Sequence, residues 1–378
     1  MMDSHIDRRY SFVPVEEWGI FPEARPLVIA GPCSAETEMQ VLETASGLKD
    51  IGIDVFRAGL WKPRTHPNTF EGVGSAGLEW LRQVRVRTGM RVCTEVASGK
   101  HVAECVAAGV DMVWIGARTT ANPFLVQEIA DALKGVDIPV LVKNPATPDM
   151  DLWVGAVERL AQAGVRKLGV IHRGFSTFER IPYRNSPDWR LAIQLKGMFP
   201  GMPFFCDPSH LGGDRKYIRE ISQRSLDLGL DGLMIESHCR PACALSDPAQ
   251  QLTPEELGRM LESLVVRRQD SDSREYRENI DQLRARIDAL DDSLLEILGS
   301  RMDVSRQIGE YKKDNNIAIL QTSRWDSLLE NAISRGAGYG LPDYFVRTIF
   351  NAIHEASVQV QNEILAGDDA GQESGGNS

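Results

Sequence analysis

Long apolar segments are absent from this sequence, and no stretch has the length and apolarity of a membrane span. Residues 1–10 also lack the apolar core of a signal peptide, so the expected location is cytoplasmic. The six cysteines do not form the dense framework of a small secreted protein. In a reducing compartment they would be free thiols or metal ligands. Neither an integral membrane protein nor a disulfide-stabilised extracellular domain is therefore expected.

Positive charge is in deficit, with 42 basic against 53 acidic residues and a formal net charge of -11. Proteins that bind nucleic acid non-specifically are usually basic, so nucleic acid is not an expected partner, and the lack of a span argues against a membrane. Small anionic substrates are compatible with this balance, because a site can be locally basic on an acidic protein.

The first two-thirds of the chain repeat one pattern, in which a short continuous apolar run is followed by an amphipathic stretch. Eight such units over about 250 residues predict an α/β fold of the closed (β/α)8 barrel type. An open doubly wound sheet is the alternative, but no GxGxxG loop follows the first run. The apolar runs span 27–33, 54–59, 91–96, 112–116, 139–144, 167–173, 203–209 and 232–238.

After Leu264 the pattern becomes purely helical. At about 1.5 Å per residue, a helix from about Ser273 to Lys313 would be roughly 60 Å long, too long to bury its apolar stripe within one small domain. Further helices are expected at about 321–334 and from Pro342 to about Leu365. The predicted organisation is a barrel at 1–265, a charged linker at 266–278, an all-α three-helix domain at 279–365 and a disordered tail at 366–378.

Reactive or charged residues follow nearly every apolar run, at the end where such barrels place their active sites. One set is basic, which indicates substrates with phosphate and carboxylate groups, since arginine binds these bidentately. It comprises Arg57, Lys62, Arg64, Arg118, Lys143 and Arg173. A second set suits a divalent metal ion such as manganese, iron, cobalt or zinc. It comprises Cys33, His210, Glu236 and Asp247, for which a core cysteine and a loop histidine are the alternative.

Six motifs around these residues resemble the 3-deoxy-D-arabino-heptulosonate 7-phosphate (DAHP) synthases, in their compact subtype without large insertions. The motifs are AGPCS (30–34), KPRT (62–65), IGAR (115–118), HRGFSTFE (172–179), DPSH (207–210) and ALSD (244–247). The resemblance implies that the second set holds the metal ion. It implies that Arg57, Lys62, Arg118, Lys143 and Arg173 bind phosphoenolpyruvate. Erythrose 4-phosphate would be bound by Lys62, Pro63, Arg64 and Thr65.

The same resemblance implies catalytic roles for Lys62, Glu95 and Asp207. Lys62 would protonate the new alkoxide, and Glu95 would orient or deprotonate the attacking water. One alternative is the related synthase of 3-deoxy-manno-octulosonate 8-phosphate, which takes arabinose 5-phosphate, but the KPRT motif favours the heptulosonate enzyme. Another is a metal-dependent sugar-phosphate aldolase that does not use phosphoenolpyruvate.

Residues from about 279 to 362 resemble the all-helical chorismate mutases, which rearrange chorismate to prephenate. The matching positions are Arg284, Arg301, Lys312, Arg324, Ser357 and Gln361. In this family the first-helix arginine reaches the partner subunit's site, so the resemblance implies an intertwined homodimer or a higher oligomer. Arg284 and Arg301 would take the carboxylates, while Lys312 and Gln361 would face the ether oxygen. Gln321 and Trp325 stand where the family often has acidic residues.

A regulatory role is expected for the helical domain, because the two implied reactions are not consecutive and no barrel loop is long enough to form an effector domain. We expect prephenate to inhibit the synthase by binding at Arg284, Arg301 and Lys312, with Val265–Arg277 as the hinge. The alternative is a helical domain that senses ligands with little turnover of its own.

Overall fold

The computed structural model describes residues 10–21, 26–53, 55–63, 69–267, 273–319 and 322–366, and leaves the side chains of 322–324 out. The chain divides into two units, Met1–Gln269 and Asp270–Ser378. No helix in the described ranges is long and apolar enough to cross a membrane.

Eight parallel strands of the first unit close into a barrel in chain order, which confirms the predicted (β/α)8 fold. Strand β1 pairs with β8 in register from Leu27 opposite Gly232 to Gly31 opposite Glu236. The strands are β1 Leu27–Gly31, β2 Val55–Arg57, β3 Arg91–Val96, β4 Met112–Ile115, β5 Val140–Lys143, β6 Leu168–His172, β7 Phe204–Cys206 and β8 Gly232–Glu236.

Helices follow the strands and cover the outside of the barrel. The strands are buried on both faces, which is why their sequences are continuously apolar rather than alternating. The helices are α1 Glu38–Asp50, α2 Ala76–Thr88, α3 Gly99–Ala107, α4 Ala117–Thr120, α5 Pro123–Ala132, α6 Met150–Gln162, α7 Trp189–Met198, α8 Pro208–Gly212, α9 Ile218–Asp227 and α10 Pro254–Glu262.

The barrel interior is a packed core, separate from the layer between strands and helices. Large side chains such as Trp114, Phe205 and Met234 fill it and are fully buried. A short 3-10 turn, Val15–Trp18, packs against the same cluster beside Leu27 at the start of β1. Because the interior is filled, polar groups can gather only at the rim formed by the strand ends.

The described residues of the second unit form three helices, as predicted: α11 Arg274–Asp314, α12 Thr322–Gly338 and α13 Asp343–Ala366. Helix α13 packs against both α11 and α12. The long first helix leaves Leu283, Ile287 and Leu290 more than half exposed. The helix therefore presents an exposed apolar stripe on this unit.

Helix α11 begins at Arg274, close to the predicted start at about Ser273, so residues 274–278 of the predicted linker belong to the helix. The Ser273 side chain accepts a hydrogen bond from the Tyr276 backbone N–H and caps the helix there. The charged sequence after Ser273 therefore forms a solvated helical turn. Residues 268–272 and the predicted tail from 367 onwards lie outside the described residues.

We expect Gly31→Ala to destabilise the barrel by at least about 2 kcal/mol. Gly31 has a φ of +151°, and a Cβ there would lie 1.9 Å from the Arg57 carbonyl oxygen. The matched control is Gly155→Ala in α6, where a Cβ meets no atom within 4 Å. That substitution should raise stability by about 0.5–1 kcal/mol. Urea denaturation of the barrel measures both; equal stabilities would show that the close approach of β1 and β2 is not a constraint.

Candidate functional site

Four side chains that can ligate a metal ion meet at the carboxyl end of the barrel. One ligand atom from each of Cys33, His210, Glu236 and Asp247 lies within 4.8 Å of all the others. Cys33 Sγ is 3.4 Å from Asp247 Oδ2, and His210 Nε2 is 3.6 Å from Glu236 Oε1. These residues come from the segments after β1, β7 and β8 and from β8 itself, so only the closed barrel brings them together.

Glu236 is the fully buried carboxylate of this group. Its Oε2 accepts a hydrogen bond of 2.7 Å from Gln250 Nε2. Its Oε1 lies 3.2 Å from Arg57 Nη2 but has no partner in hydrogen-bond geometry, which leaves a lone pair for a cation. Burial alone would raise the pKa of Glu236, but the charges of His210 and Arg57 outweigh it and hold that pKa below its usual range.

Asp207 organises the next part of the rim from the N-terminus of α8. Its Oδ1 accepts the His210 backbone N–H at 2.9 Å, and its Oδ2 lies 2.8 Å from His210 Nδ1. The same Oδ2 accepts a 2.5 Å hydrogen bond from Lys143 Nζ. Burial would raise the pKa of the Asp207 carboxyl, but His210 and Lys143 hold it well below its usual range. Asp207 is therefore an ionised carboxylate that orients an imidazole and an ammonium group.

The thiol of Cys33 is also in contact with a cation. Lys62 Nζ lies 3.3 Å from Cys33 Sγ. Burial and the nearby Glu236 carboxylate raise the pKa of this thiol to about 12. A bound metal ion would have to displace that proton, as metal ions do at cysteine ligands.

Two buried cations flank the ligand group over an aromatic ring. The Arg57 guanidinium is completely buried and lies 4.8 Å from the centroid of Trp114, and Lys143 Nζ lies 5.9 Å from the same ring. The Trp114 indole also donates to Glu95 Oε2 at 3.3 Å. Glu95 occupies the space left by Gly116, where a Cβ would lie 2.0 Å from Glu95 Oε1.

Arg173 is held at the end of β6 by two asparagines. Asn144 Oδ1 accepts its backbone N–H at 2.7 Å, and Asn185 Oδ1 accepts from its Nη1 at 2.9 Å. Asn185 Nδ2 in turn donates to the His210 carbonyl at 2.7 Å. Burial lowers the pKa of Arg173 to about 10. Asn185 therefore links the Arg173 guanidinium to His210 of the ligand group.

The helical unit contains a cavity of about 160 Å³ between its helices. Its polar lining residues include Arg301, Lys312, Ser357 and Gln361. Arg301 Nη1 donates to Ser357 Oγ at 2.6 Å, and Lys312 Nζ donates to the Ile319 carbonyl. Gln361 is buried, and its Oε1 has no hydrogen-bond partner among the described residues. Two cations and an unsatisfied amide oxygen indicate a cavity for a polar anionic ligand.

Residues 20–271 match the model of the DAHP synthetase I family. The chain belongs to this family. Residues 283–362 match the chorismate mutase type II model, so the DAHP synthetase I domain is followed by a chorismate mutase type II domain. Both assignments agree with the family resemblances of the sequence.

Curated relatives of the DAHP synthetase I domain carry two different names. Phospho-2-dehydro-3-deoxyheptonate aldolase of Thermotoga maritima is 36% identical over 225 residues, which are 60% of this chain and 64% of that protein. The chain thus spans less than two-thirds of this relative's length. The 2-dehydro-3-deoxyphosphooctonate aldolase of Bordetella petrii is 31% identical over 264 residues, which cover 63% of this chain and 89% of that protein.

A solved structure of the Thermotoga maritima DAHP synthase superposes on the chain with a TM-score of 0.59 and 30% identity. The match covers 67% of this chain and 71% of that structure. A truncated form of 3-deoxy-D-arabino-heptulosonate 7-phosphate synthase from the same organism gives a TM-score of 0.54 at 30% identity, over 62% of this chain and 83% of that one.

Several residues predicted for the DAHP synthetase I site are exposed, half-buried or outside the described residues. Arg118 lies in α4 and is exposed, and Pro63 is half-buried next to Lys62. Arg64 and Thr65 are outside the described residues. Their expected contact with erythrose 4-phosphate therefore stays a prediction from the sequence.

Two residues of the same rim were missed by the sequence analysis. Arg184 Nη1 donates to Asp247 Oδ1 at 2.8 Å and to Gln250 Oε1 at 3.0 Å. Gln250 also donates to Glu236. Arg184 and Gln250 together therefore hydrogen-bond to both carboxylates of the ligand group. Arg184 lies in the long irregular segment between β6 and α7, where no periodic signal marks a residue as part of a site.

In the mutase domain, the structure separates Arg284 from the other predicted residues. Its side chain is 74% exposed and lies 3.6 Å from Asp281. It does not line the cavity that holds Arg301 and Lys312. The side chain of Arg324 and all of Gln321 lie outside the described residues, whereas Trp325 lines the cavity.

Proposed function

We propose that the barrel condenses phosphoenolpyruvate with erythrose 4-phosphate to DAHP and phosphate, with a divalent metal ion held by Cys33, His210, Glu236 and Asp247. The observation that carries this proposal is the ligand group, set among buried cations at the carboxyl rim. The family membership and the Thermotoga maritima relative support the choice of reaction.

The donors of the ligand group fit a transition metal ion. One thiolate, one imidazole and two carboxylates form a mixed set of the kind that binds manganese, iron, cobalt or zinc. The unsatisfied Glu236 Oε1 and the short distance from Cys33 Sγ to Asp247 Oδ2 favour an intervening cation. When bound, the ion would supply Lewis-acid polarisation of the aldehyde oxygen of erythrose 4-phosphate.

The cations of the rim would bind and orient the two substrates, phosphoenolpyruvate and erythrose 4-phosphate. Arg118, Lys143 and Arg173, with Arg57 and Lys62, would bind phosphoenolpyruvate. Lys143 and Arg57 are positioned by Asp207 and Glu236, so they are fixed before substrate arrives. Their burial excludes water and strengthens their attraction for phosphate and carboxylate.

Two residues would move protons during the condensation. Lys62 Nζ lies 3.3 Å from a ligand atom, so its ammonium can reach an alkoxide formed beside the ligand group. Glu95 is held at the rim by Trp114 and would orient or deprotonate the water that adds to the neighbouring carbon. Asp207 would act by holding Lys143 and His210 rather than by touching the reacting atoms.

The choice of sugar phosphate separates this proposal from the alternative represented by Bordetella petrii 2-dehydro-3-deoxyphosphooctonate aldolase. This chain is 31% identical to the Bordetella petrii protein and 36% identical to the Thermotoga maritima heptonate aldolase. The KPRT motif and the attached mutase domain favour erythrose 4-phosphate over arabinose 5-phosphate.

We expect phosphoenolpyruvate consumption and phosphate release with erythrose 4-phosphate, loss of both in EDTA, and recovery with a divalent metal ion. Cys33→Ala should lower metal affinity at least about tenfold, measured by metal content after dialysis, without unfolding the barrel. Cys105→Ala, a buried thiol on α3, is the matched control and should bind metal normally.

Full activity in metal-free protein would contradict the metal assignment. Turnover with arabinose 5-phosphate in place of erythrose 4-phosphate would instead favour the octulosonate reaction. Consumption of substrate without phosphate release would favour a simple aldolase.

We propose that the helical domain rearranges chorismate to prephenate in the cavity between its helices. Arg301 and the partner subunit's first-helix arginine would bind the two carboxylates, and Lys312 and Gln361 would stabilise charge on the breaking ether oxygen. The exposure of Arg284 and of the apolar stripe on α11 supports an intertwined homodimer, in which Arg284 serves a second copy.

Arg301→Ala and Lys312→Ala should each lower mutase kcat/KM by at least about a hundredfold, because each removes a charge from a water-poor cavity. The control is Arg306→Ala on the same helix, whose side chain is more than half exposed and pairs with Asp303. Mutase assays at saturating and limiting chorismate measure the effect. Wild-type rates in both cavity variants would show that the reaction occurs elsewhere.

We also propose that prephenate inhibits the synthase by binding in the mutase cavity. The two reactions are not consecutive, so regulation explains their fusion better than transfer of an intermediate. Prephenate can inhibit only if it binds one state of the chain more tightly than another, and by linkage the barrel's substrates then weaken its binding.

Titration with prephenate should lower synthase activity in the wild-type chain and have at least about tenfold less effect in Arg301→Ala, since that variant loses a carboxylate-binding group. Arg306→Ala should keep wild-type sensitivity. Inhibition that is unchanged in Arg301→Ala, or absent in the wild type at saturating prephenate, would contradict regulation through this cavity.

A further inference from the structure

One wall of the mutase cavity is a stacked aromatic pair. The rings of Trp325 on α12 and His354 on α13 lie 4.0 Å apart between centroids, with an angle of 16° between their planes. Both residues line the cavity. Because the indole covers one face of the imidazole, the ring edge, which carries both nitrogens, is the part of His354 available for polar contact.

Most other polar side chains of the cavity already have partners or assigned roles. Arg301 donates to Ser357, and Ser305 also hydrogen-bonds to Ser357. Lys312 and Gln361 are assigned to the ether oxygen under the proposed function. Within the described ranges, neither ring nitrogen of His354 has a hydrogen-bond partner, and no acidic residue lines the cavity.

The ligand has one polar group left over as well. Chorismate carries two carboxylates, an ether oxygen and a ring hydroxyl, and only the hydroxyl lacks a partner in the assignments above. A hydroxyl both donates and accepts, and a neutral imidazole offers one donor and one acceptor, so the two match in either tautomer. A carboxylate in place of Trp325 would also accept from this hydroxyl, but it would repel a dianion.

We propose that His354 is a specificity-determining residue that hydrogen-bonds to the ring hydroxyl of the dicarboxylate ligand, with Trp325 fixing its orientation. This inference rests on the proposed mutase function. The stack orders the imidazole before the ligand arrives, which lowers the entropy lost on binding. Because no acidic residue is among the described residues that line the cavity, no carboxylate in that lining offsets the charge of Arg301 and Lys312, which favours a dianion.

The test compares His354→Phe with the wild-type full-length chain. Phenylalanine keeps the stack on Trp325 and removes both ring nitrogens. Binding is measured for prephenate, the product, which keeps both carboxylates and the ring hydroxyl, and for the same dianion without that hydroxyl. We expect the variant to raise the Kd for prephenate roughly tenfold and to leave the Kd of the hydroxyl-free dianion unchanged within about twofold.

A conservative variant and a matched control complete the design. His354→Gln retains a donor and an acceptor, so it should keep at least part of the discrimination between the two dianions. The control is His101→Phe in the barrel, where the imidazole stacks on Trp61 with centroids 4.1 Å apart. It should not change binding to the mutase cavity.

The outcomes separate this inference from the proposed function. An equal loss of affinity for both dianions in His354→Phe would show that the residue only packs against Trp325, and no loss for either would remove it from the site. Binding of neither dianion by the wild-type chain would overturn the proposed mutase function itself.

Discussion

Buried opposite charges at the carboxyl rim are the constraint on which the barrel's site depends. Arg57 with Glu236, and Lys143 with Asp207, are ion pairs whose side chains are no more than 5% exposed. Removing each ion from water costs several kcal/mol, and mutual attraction repays that cost only with close pairing. The cluster is therefore poor as a stabilising device. Under the proposed function, these fixed charges would face anionic substrates and a metal ion without reorganisation.

The closure of the sheet makes this cluster achievable. Cys33 and Glu236 are distant in the sequence, yet β1 and β8 pair so that Gly31 lies opposite Glu236. Gly31 is also where β1 approaches the Arg57 carbonyl too closely for a side chain. The rim formed by β8, β1 and β2 thus brings together the Cys33 thiol, the Glu236 carboxylate and the buried Arg57 guanidinium.

The sequence predicted the regular parts of the molecule well. Continuous apolar runs marked all eight strands because both sheet faces are buried, and helical spacing marked α11 to α13. The ligand group could be proposed because each member directly follows or ends a strand, apart from Asp247, which the ALSD motif supplied.

Contacts made through irregular segments could not be predicted in the same way. Arg184, Asn185 and Gln250 act through loops whose paths have no periodic signature. The Trp325–His354 stack depends on how α12 and α13 pack against each other, which the helical spacing of apolar residues does not determine. Residues 274–278 were assigned to the predicted linker because a solvated helical turn and a linker have similar charged compositions.

We propose that the four-residue ligand group holds the ion that the synthase reaction requires. Anomalous diffraction from crystals of the active enzyme with manganese tests this proposal most directly. We expect one ion between Cys33, His210, Glu236 and Asp247, at roughly 2.0–2.5 Å from each ligand atom. An ion bound elsewhere on the rim, or no ion at this group in a protein that turns over, would contradict it.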